Sequence, residues 1–252
     1  LKERAETGRI YIMNIDHANS HSSFFEDEAK ISMSNLCQEI TLPTTPLDSP
    51  NDEQGEIALC ILSAINVGQM TNDFKEMPEL CDLAVRALDE VIDYQDYPIP
   101  AAEISTKRRR SLGIGYIGLA HFLAKNKVKY DDPEAWKLVH RLTEHFQYNL
   151  LATSVQLAKE KGSCDGWSET KYHLGLLPID HYKKEVDELV EPVYECDWET
   201  MREDIVKWGV RNSTLTAQMP SESSSVVSNE TNGIEPPRDY ITIKKSKKGP
   251  LK

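Results

Sequence analysis

The amino-acid sequence predicts a mixed α/β chain. Two long segments, 78–94 and 132–161, repeat apolar residues at helical spacing, whereas 9–14, 35–43 and 56–66 are short and apolar in the manner of strands. At 252 residues the chain is long enough for one large domain or two small ones with a real core.

In chain order, Arg9–Asn14 alternates like a half-buried strand, and the polar stretch Asp16–Glu28 reads as a loop. His17 and His21 stand four apart there, a metal-pair spacing on a helix, but the Asn, Ser and Asp around them favour solvent-facing loop residues. Segments 35–43 and 56–66 read as strands, the second long enough to be helical at one end. Between them runs a polar loop, Pro43–Gly55, with three prolines and the turn signal Asn51-Asp52-Glu53. Over 78–94 the apolar stripe Leu80, Leu83, Ala84, Ala87, Leu88, Val91 follows Pro78, a good first-turn residue, and Cys81 beside it reads as a small packed side chain. Gly113-Ile114-Gly115 reads as a close-packed turn opening a helix; a lone GxG is weak evidence for a phosphate loop. The longest helix is expected over 132–161, with Asp132 as N-cap, Pro133 at the first position and Gly162 beyond the end. Val139, Leu142, Phe146, Leu150 and Leu157 share one face, flanked by structural His140 and His145. Residues 163–210 turn acidic, with short elements and a helix at 198–208, and read as a small appended subdomain.

A net charge of -12 disfavours a nucleic-acid binder, because phosphate backbones are held mainly by clustered Lys and Arg. The basic runs Lys107–Arg110 and Lys244–Lys248 read as a solvated helix face or a hairpin turn. No apolar run approaches the ~18 residues of a membrane span. Five cysteines without a CxxC pair, and no secretory signal, fit a reducing cytosol. The chain opens without Met and stops just after a strand-like stretch, so both ends are expected to be cuts.

Three constellations carry chemistry. In Asn35-Leu36-Cys37-Gln38-Glu39, an extended chain would place an amide, a thiol and a carboxylate on one face, a grouping suited to radical and acid–base work on a ribose ring. On spacing alone the plainer reading, polar residues alternating in a half-buried strand, prevails. Cys60 lies in the apolar segment Gly55-Glu56-Ile57-Ala58-Leu59-Cys60, where a packed thiol is the commoner case. Pro220-Ser221-Glu222-Ser223-Ser224 reads as a turn feeding a helix. Its hydroxyls and first-turn N–H groups can bind a phosphate, although plain N-capping is the commoner use.

Together these segments resemble the large, catalytic subunit of class I ribonucleotide reductases, in the form found in enteric bacteria and their large phages. Asn35-Leu36-Cys37-x-Glu39-Ile40 looks like the family's finger loop and Asn51-Asp52-Glu53-x-Gly55 to Cys60 like its second redox-cysteine strand. Arg211-Asn212-Ser213-Thr214 through Met219-Pro220-Ser221-Glu222 to Asn232-Gly233-Ile234-Glu235-Pro236-Pro237 looks like its phosphate loop and following segment. Gly8–Ile12, Tyr94–Pro100 and Leu174–Asp180 extend the match in the family's order; Ser223 stands where relatives often have Thr.

The resemblance implies part of a ten-stranded α/β barrel, with 1–162 and 211–252 as barrel portions and 163–210 as the small subdomain. It implies a thiyl radical on Cys37, assistance by Glu39 and Asn35 at the ribose hydroxyls, and Cys60 as one of two thiols that become a disulfide. Leu36 and Gln38 would complete the finger-loop contacts, and residues 220–224 would hold the substrate's phosphates. Glu39 and Cys60 would open onto one cavity with Cys37 and the phosphate loop, leaving Cys81, Cys164 and Cys196 outside it. No cofactor or metal is expected on this chain. The radical would come from a metal-containing small subunit, and electrons from a dithiol such as thioredoxin or glutaredoxin. Other implied partners are ribonucleoside diphosphates, a second large subunit and further segments of the same subunit, with no nucleic acid or membrane. The alternatives are a cobalamin-dependent class II relative, a non-catalytic complementing piece of a split reductase, and a free-standing phosphate-binding module.

Overall fold

The computed structural model describes residues 1–239, 241, 244–246 and 249–251. Its centre is a parallel pair, β1 (Ile61–Asn66) and β2 (Leu112–Ile117), in register from Ile61 opposite Leu112 to Asn66 opposite Ile117. On the other side of β2, residues 214–217 run parallel to it. Leu112 N donates to Thr214 O (3.0 Å), Ile114 N to Leu215 O (2.8 Å) and Ala217 N to Ile114 O (3.2 Å). Mixed α/β is therefore right, but among the described residues this sheet has two strands and a bridged third segment. The ten-stranded barrel is not among the described elements.

Helices cover the pair. α1 (Lys2–Thr7) and α2 (Ile15–His21) precede it, and α3 (Met77–Tyr94) and α4 (Pro100–Arg109) lie between its strands. α5 (Leu119–Lys125) and α6 (Pro133–Lys161) follow β2, then α7 (Pro178–His181), α8 (Trp198–Trp208) and α9 (Glu222–Val227). The predicted stripe of α6 is buried as expected, but that of α3 is displaced: Leu83 (66%) and Val91 (39%) are exposed, and Cys81, Val85 and Ile92, beside the predicted stripe, meet Leu142, Phe146 and Leu150 of α6, these six all at most 1% exposed. Burying each large apolar side chain is worth about 1.5–3 kcal/mol, which fixes α3 against α6 and both against Ile114 and Tyr116 of β2. The Cys81 thiol reaches Phe146 O at 3.8 Å, as expected of a packed cysteine. Asp132 stands at the N-cap of α6 as predicted, but its carboxylate accepts Lys129 N (2.7 Å) and tightens the preceding turn rather than capping the helix. Trp198, Met201 and Ile205 of α8 join the same hydrophobic cluster.

Several expectations need correction. Residues 9–14 form no strand; Ile10, Tyr11 and Ile12 are about half exposed (47%, 52%, 53%), because among the described residues no neighbouring segment takes up their backbone hydrogen bonds. Residues 35–43 form no strand either, and only 61–66 of the second segment does. The stretch from Asp16 is helical up to His21, held by Asn19, whose amide donates to Ile31 O and accepts Ile31 N, both at 2.9 Å. Gly113 and Gly115 lie within β2, and α5 starts only after Gly118, whose left-handed φ of 84° makes the turn.

The run Lys107–Arg110 is not a solvated face. Arg109 and Arg110 are each 4% exposed, drawn inward by buried carboxylates. Arg109 pairs with Glu169 (3.0 Å) and Glu56 (2.9 Å), and Arg108 adds bonds to both acids. Arg110 pairs with Asp89 (2.7 Å) and Asp93 (2.8 Å), while Asp89 also receives Arg211 (3.4 Å) and Asn212 (3.1 Å). The second network clamps the start of β2 to α3 and to the segment entering 214–217, and the first ties the end of α4 to Glu56 and Glu169. In the second basic run, Lys244–Ser246 and Gly249–Leu251 pair as antiparallel strands β3 and β4, as for a hairpin; Lys247 and Lys248 lie outside the described residues.

Candidate active site

The glycines of β2 shape the site. Residues two apart share a strand face, so Gly113 and Gly115 leave one face of the sheet bare. A Cβ at Gly113 would meet Leu62 Cδ2 at 2.5 Å, Cys60 Sγ at 2.7 Å and Ala217 Cβ at 3.0 Å. One at Gly115 would meet Met219 Sδ at 3.1 Å and Gln218 Oε1 at 3.2 Å. The Cys60 thiol and the segment leading to Pro220 therefore lie over the same face of β2, one glycine step apart, or roughly 7 Å along the strand.

Residues 34–40 fold as a tight turn instead of an extended strand. The Asn35 side-chain oxygen accepts Ile40 N (3.0 Å), Asn35 N donates to Ile40 O (3.4 Å) and Gln38 N to Asn35 O (3.2 Å), with Gln38 at φ 65°. Short Asn side chains that bond nearby backbone close turns of this kind. The shared face expected for Asn35, Cys37 and Glu39 is lost. Leu36 (76%) and Cys37 are exposed on the turn, and Asn35 is engaged in closing it.

Glu39 returns inward. It borders a cavity of about 230 Å³ with Cys60, Gln147, Tyr172, His181 and Thr214, at the N-terminal ends of the parallel segments. Burial pushes the Cys60 thiol up to about 12, and the Glu39 carboxylate adds to that shift by repelling a thiolate. Cys60 is thus held as a neutral thiol. Glu39 Oε2 and His181 Nε2 are both buried without a hydrogen-bond partner among the described residues. The expectation of one cavity holds for Glu39 and Cys60. Cys37 and residues 220–224 are not among the residues lining it.

After Met219 the chain turns into α9. Ser221 is the N-cap and is 5% exposed, but its hydroxyl donates to Met219 O (3.1 Å) and makes no cap bond. Ser223 and Ser224 are exposed in the first turn, where helix N–H groups lack intrahelical acceptors, and Pro220 is exposed just before it. The far side of α9 is pinned by Glu230. Its carboxylate accepts Thr231 N (2.9 Å) and Gln69 Nε2 (3.3 Å) and meets His121 Nδ1 (2.9 Å), packed against Gly68 and Gly118.

All five cysteines are free, and Cys60 is the one that lines the Glu39 cavity. Cys81 and Cys164 are buried elsewhere, and Cys196 sits by His145 at 3.8 Å. Sequence reasoning did not pick out Gln147, Tyr172 or His181. The only signal near them was the segment Leu174–Asp180, which ends just before His181. His17 and His21 do lie on a helix, with ring centroids 6.1 Å apart, and among the described residues no group of three or more His, Cys, Asp or Glu could hold a metal. No helix among the described residues is long and apolar enough to cross a membrane.

A family model described as the ribonucleotide reductase barrel domain matches residues 1–252. The chain is 57% identical over 252 residues to the ribonucleoside-diphosphate reductase subunit alpha of Haemophilus influenzae, covering all of this chain and 33% of that protein. It is 55% identical over 252 residues to the subunit alpha of reductase 1 of Escherichia coli, again all of this chain and 33% of that protein. The phage T4 subunit alpha is 47% identical over 250 residues, 99% of this chain and 32% of its own length. The chain thus spans about a third of the length of the curated relatives it matches.

Proposed function

Because the chain belongs to the ribonucleotide reductase barrel-domain family, we propose that it carries part of the catalytic centre that reduces ribonucleoside diphosphates to 2′-deoxyribonucleoside diphosphates. The observation that carries this reading is the meeting of Glu39 and the protonated Cys60 thiol on one polar cavity, twenty-one positions apart in sequence (60 less 39).

In this reading Cys37, exposed at the tip of the Asn35-closed turn, serves as a thiyl radical that takes the 3′-hydrogen. Glu39 accepts the 3′-hydroxyl proton and Asn35 steadies the neighbouring hydroxyl, with Leu36 and Gln38 completing the turn's contacts. The 2′-hydroxyl leaves as water. Cys60 and a second thiol supply two electrons and two protons and become a disulfide, after which Cys37 returns the hydrogen to the 3′-carbon and Glu39 returns the proton to the 3′-oxygen. The neutral state of Cys60 suits this step, since a thiol delivers a proton with its electron. Residues 220–224 hold the diphosphate on serine hydroxyls and first-turn N–H groups of α9. A metal-containing small subunit supplies the radical, a dithiol protein such as thioredoxin or glutaredoxin reduces the disulfide, and a second large subunit completes the assembly. The barrel is continued by further segments of the same subunit. Five free thiols suit a reducing cytoplasm.

The test is Cys37→Ser in the protein made from the complete reading frame, assayed with a radical-generating subunit. Turnover should vanish while diphosphate binding and melting temperature stay at wild-type values. Appreciable turnover by that variant would sink the assignment.

A further inference from the structure

We propose that His181 is a further substrate-binding residue of the Glu39–Cys60 cavity, its imidazole Nε2 hydrogen-bonding a ribose hydroxyl that Glu39 holds from the other side. The inference rests on the functional reading above and deepens it.

His181 ends α7 and lines the same cavity as Glu39 and Cys60, and its Nε2 is buried without a partner among the described residues. Buried polar atoms are ordinarily satisfied, so an orphan at a cavity wall points to something that fills the cavity. The charged groups around it are already engaged. Lys171 Nζ is spent on Ser20 O (2.6 Å) and Ser22 O (2.7 Å), and Asp180 takes Leu177 N (2.7 Å) and Arg202 (2.6 Å). His21 Nδ1 turns to the His181 carbonyl at 2.7 Å and not to the unpartnered Nε2. Burial, reinforced by Lys171, pulls the His181 pKa down to about 4, so the ring is uncharged near neutrality.

The two orphans specify the ligand's chemistry. An ionised Glu39 only accepts hydrogen bonds, whereas a neutral imidazole nitrogen donates or accepts according to tautomer. A hydroxyl does both and can bridge them. A phosphate fits this end of the cavity poorly: it would face the Glu39 carboxylate, no Lys or Arg is among the lining residues, and Lys171, whose charge acts on His181, is held by two carbonyls. At about 230 Å³, against roughly 30 Å³ for one water in the liquid, the space is large enough for a sugar ring. The diphosphate then belongs at α9 and the hydroxyl-bearing ring here.

The test measures equilibrium binding, without radical or turnover, in protein from the complete reading frame. The ligands are ADP, 2′-deoxy-ADP, 3′-deoxy-ADP and pyrophosphate. His181→Leu should weaken ADP binding roughly three- to tenfold, the loss of one neutral hydrogen bond. Pyrophosphate binding should be unchanged, and against one of the two deoxy ligands the substitution should cost almost nothing. His181→Gln, which keeps a donor, should recover most of the ADP affinity. The wild-type ring supplies a readout independent of how the variants fold: its side-chain 15N resonance should move on adding ADP and stay still on adding pyrophosphate. Equal losses for every ligand, or a resonance indifferent to ADP, overturn the inference and leave the functional reading standing. Wild-type protein that binds no nucleoside diphosphate overturns both.

Discussion

Replacing Gly113 with alanine tests how the Cys60 thiol is positioned. The added Cβ would stand 2.7 Å from Cys60 Sγ, 2.5 Å from Leu62 Cδ2 and 3.0 Å from Ala217 Cβ. Comfortable contacts between such atoms are about 3.5–4.0 Å, so each neighbour must yield by roughly 0.5–1.5 Å. Leu62 lies in β1, Cys60 just before it and Ala217 in the bridged segment on the other side of β2, and separating them works against the ladder bonds at Leu112 and Ile114. Overpacking of this kind costs about 1–3 kcal/mol, which for a chain of this size lowers Tm by roughly 2–12 °C. The more informative signal is local: a thiol pushed off the face of β2 becomes more exposed, so alkylation of Cys60, followed by mass spectrometry of its peptide, should accelerate. Gly162→Ala is the control. A Cβ there meets nothing within 4 Å, so only the strain of its positive φ of 89° is paid and the Cys60 rate should not change. A Gly113→Ala protein with wild-type Tm and wild-type Cys60 alkylation would refute the claim that the bare strand face seats the thiol.

Cys60→Ser should leave folding and diphosphate binding intact but prevent repeated dithiol-driven turnover; sustained multiple turnovers would return Cys60 to a packing role. Asp89→Asn should cost about 3–5 kcal/mol by urea unfolding, since Arg110 and Arg211 lose their shared buried counter-ion, and a loss below about 1 kcal/mol would contradict the clamp. His181 makes the fold sensitive to acid. Its folded pKa of about 4 lies below the ordinary 6.5, so between those values the unfolded chain binds the extra proton and stability falls as pH falls. His181→Gln should flatten the stability–pH curve across that window; identical slopes for both proteins would show that the ring is not buried in its neutral form.

The sequence was most legible where local periodicity and tertiary burial agree. The stripe of α6 had a face to bury, and Pro78, Pro133 and Gly162 marked ends that the backbone itself enforces; in α3 the helix was legible but its buried face, Cys81, Val85 and Ile92, lay beside the stripe that was read. Strands were harder to read, because an apolar stretch becomes a strand only with a neighbour to pair with; residues 9–14 have the pattern and find no such neighbour among the described residues. The Arg108–Arg110 run was misread for a related reason. Its partners, Glu56, Asp89 and Glu169, lie some 20 to 60 positions away, a separation that no local window can see. Of the motif from Asn35 to Glu39 only Glu39 reaches the cavity of Cys60, because the Asn35 side chain closes a turn that overrides the alternation of an extended chain. His181 left no trace at all, because an unpaired buried nitrogen exists only once the cavity around it does.

The Glu230 clip has an entropic consequence. The segment 218–229 is tied at one end by the bonds of 214–217 to β2 and at the other by the carboxylate seated against Gly68 and Gly118. Bringing together the ends of a free loop of about a dozen residues costs roughly 2 kcal/mol beyond the constant for starting it. Here that loss is met when the chain folds, so an anion arriving at α9 finds the loop's span already set and gives up less of its binding energy to ordering it. On the proposed reading of α9 as the phosphate site, cutting the clip with Glu230→Ala would therefore weaken affinity for inorganic pyrophosphate, although Glu230 is not among the residues proposed to touch it.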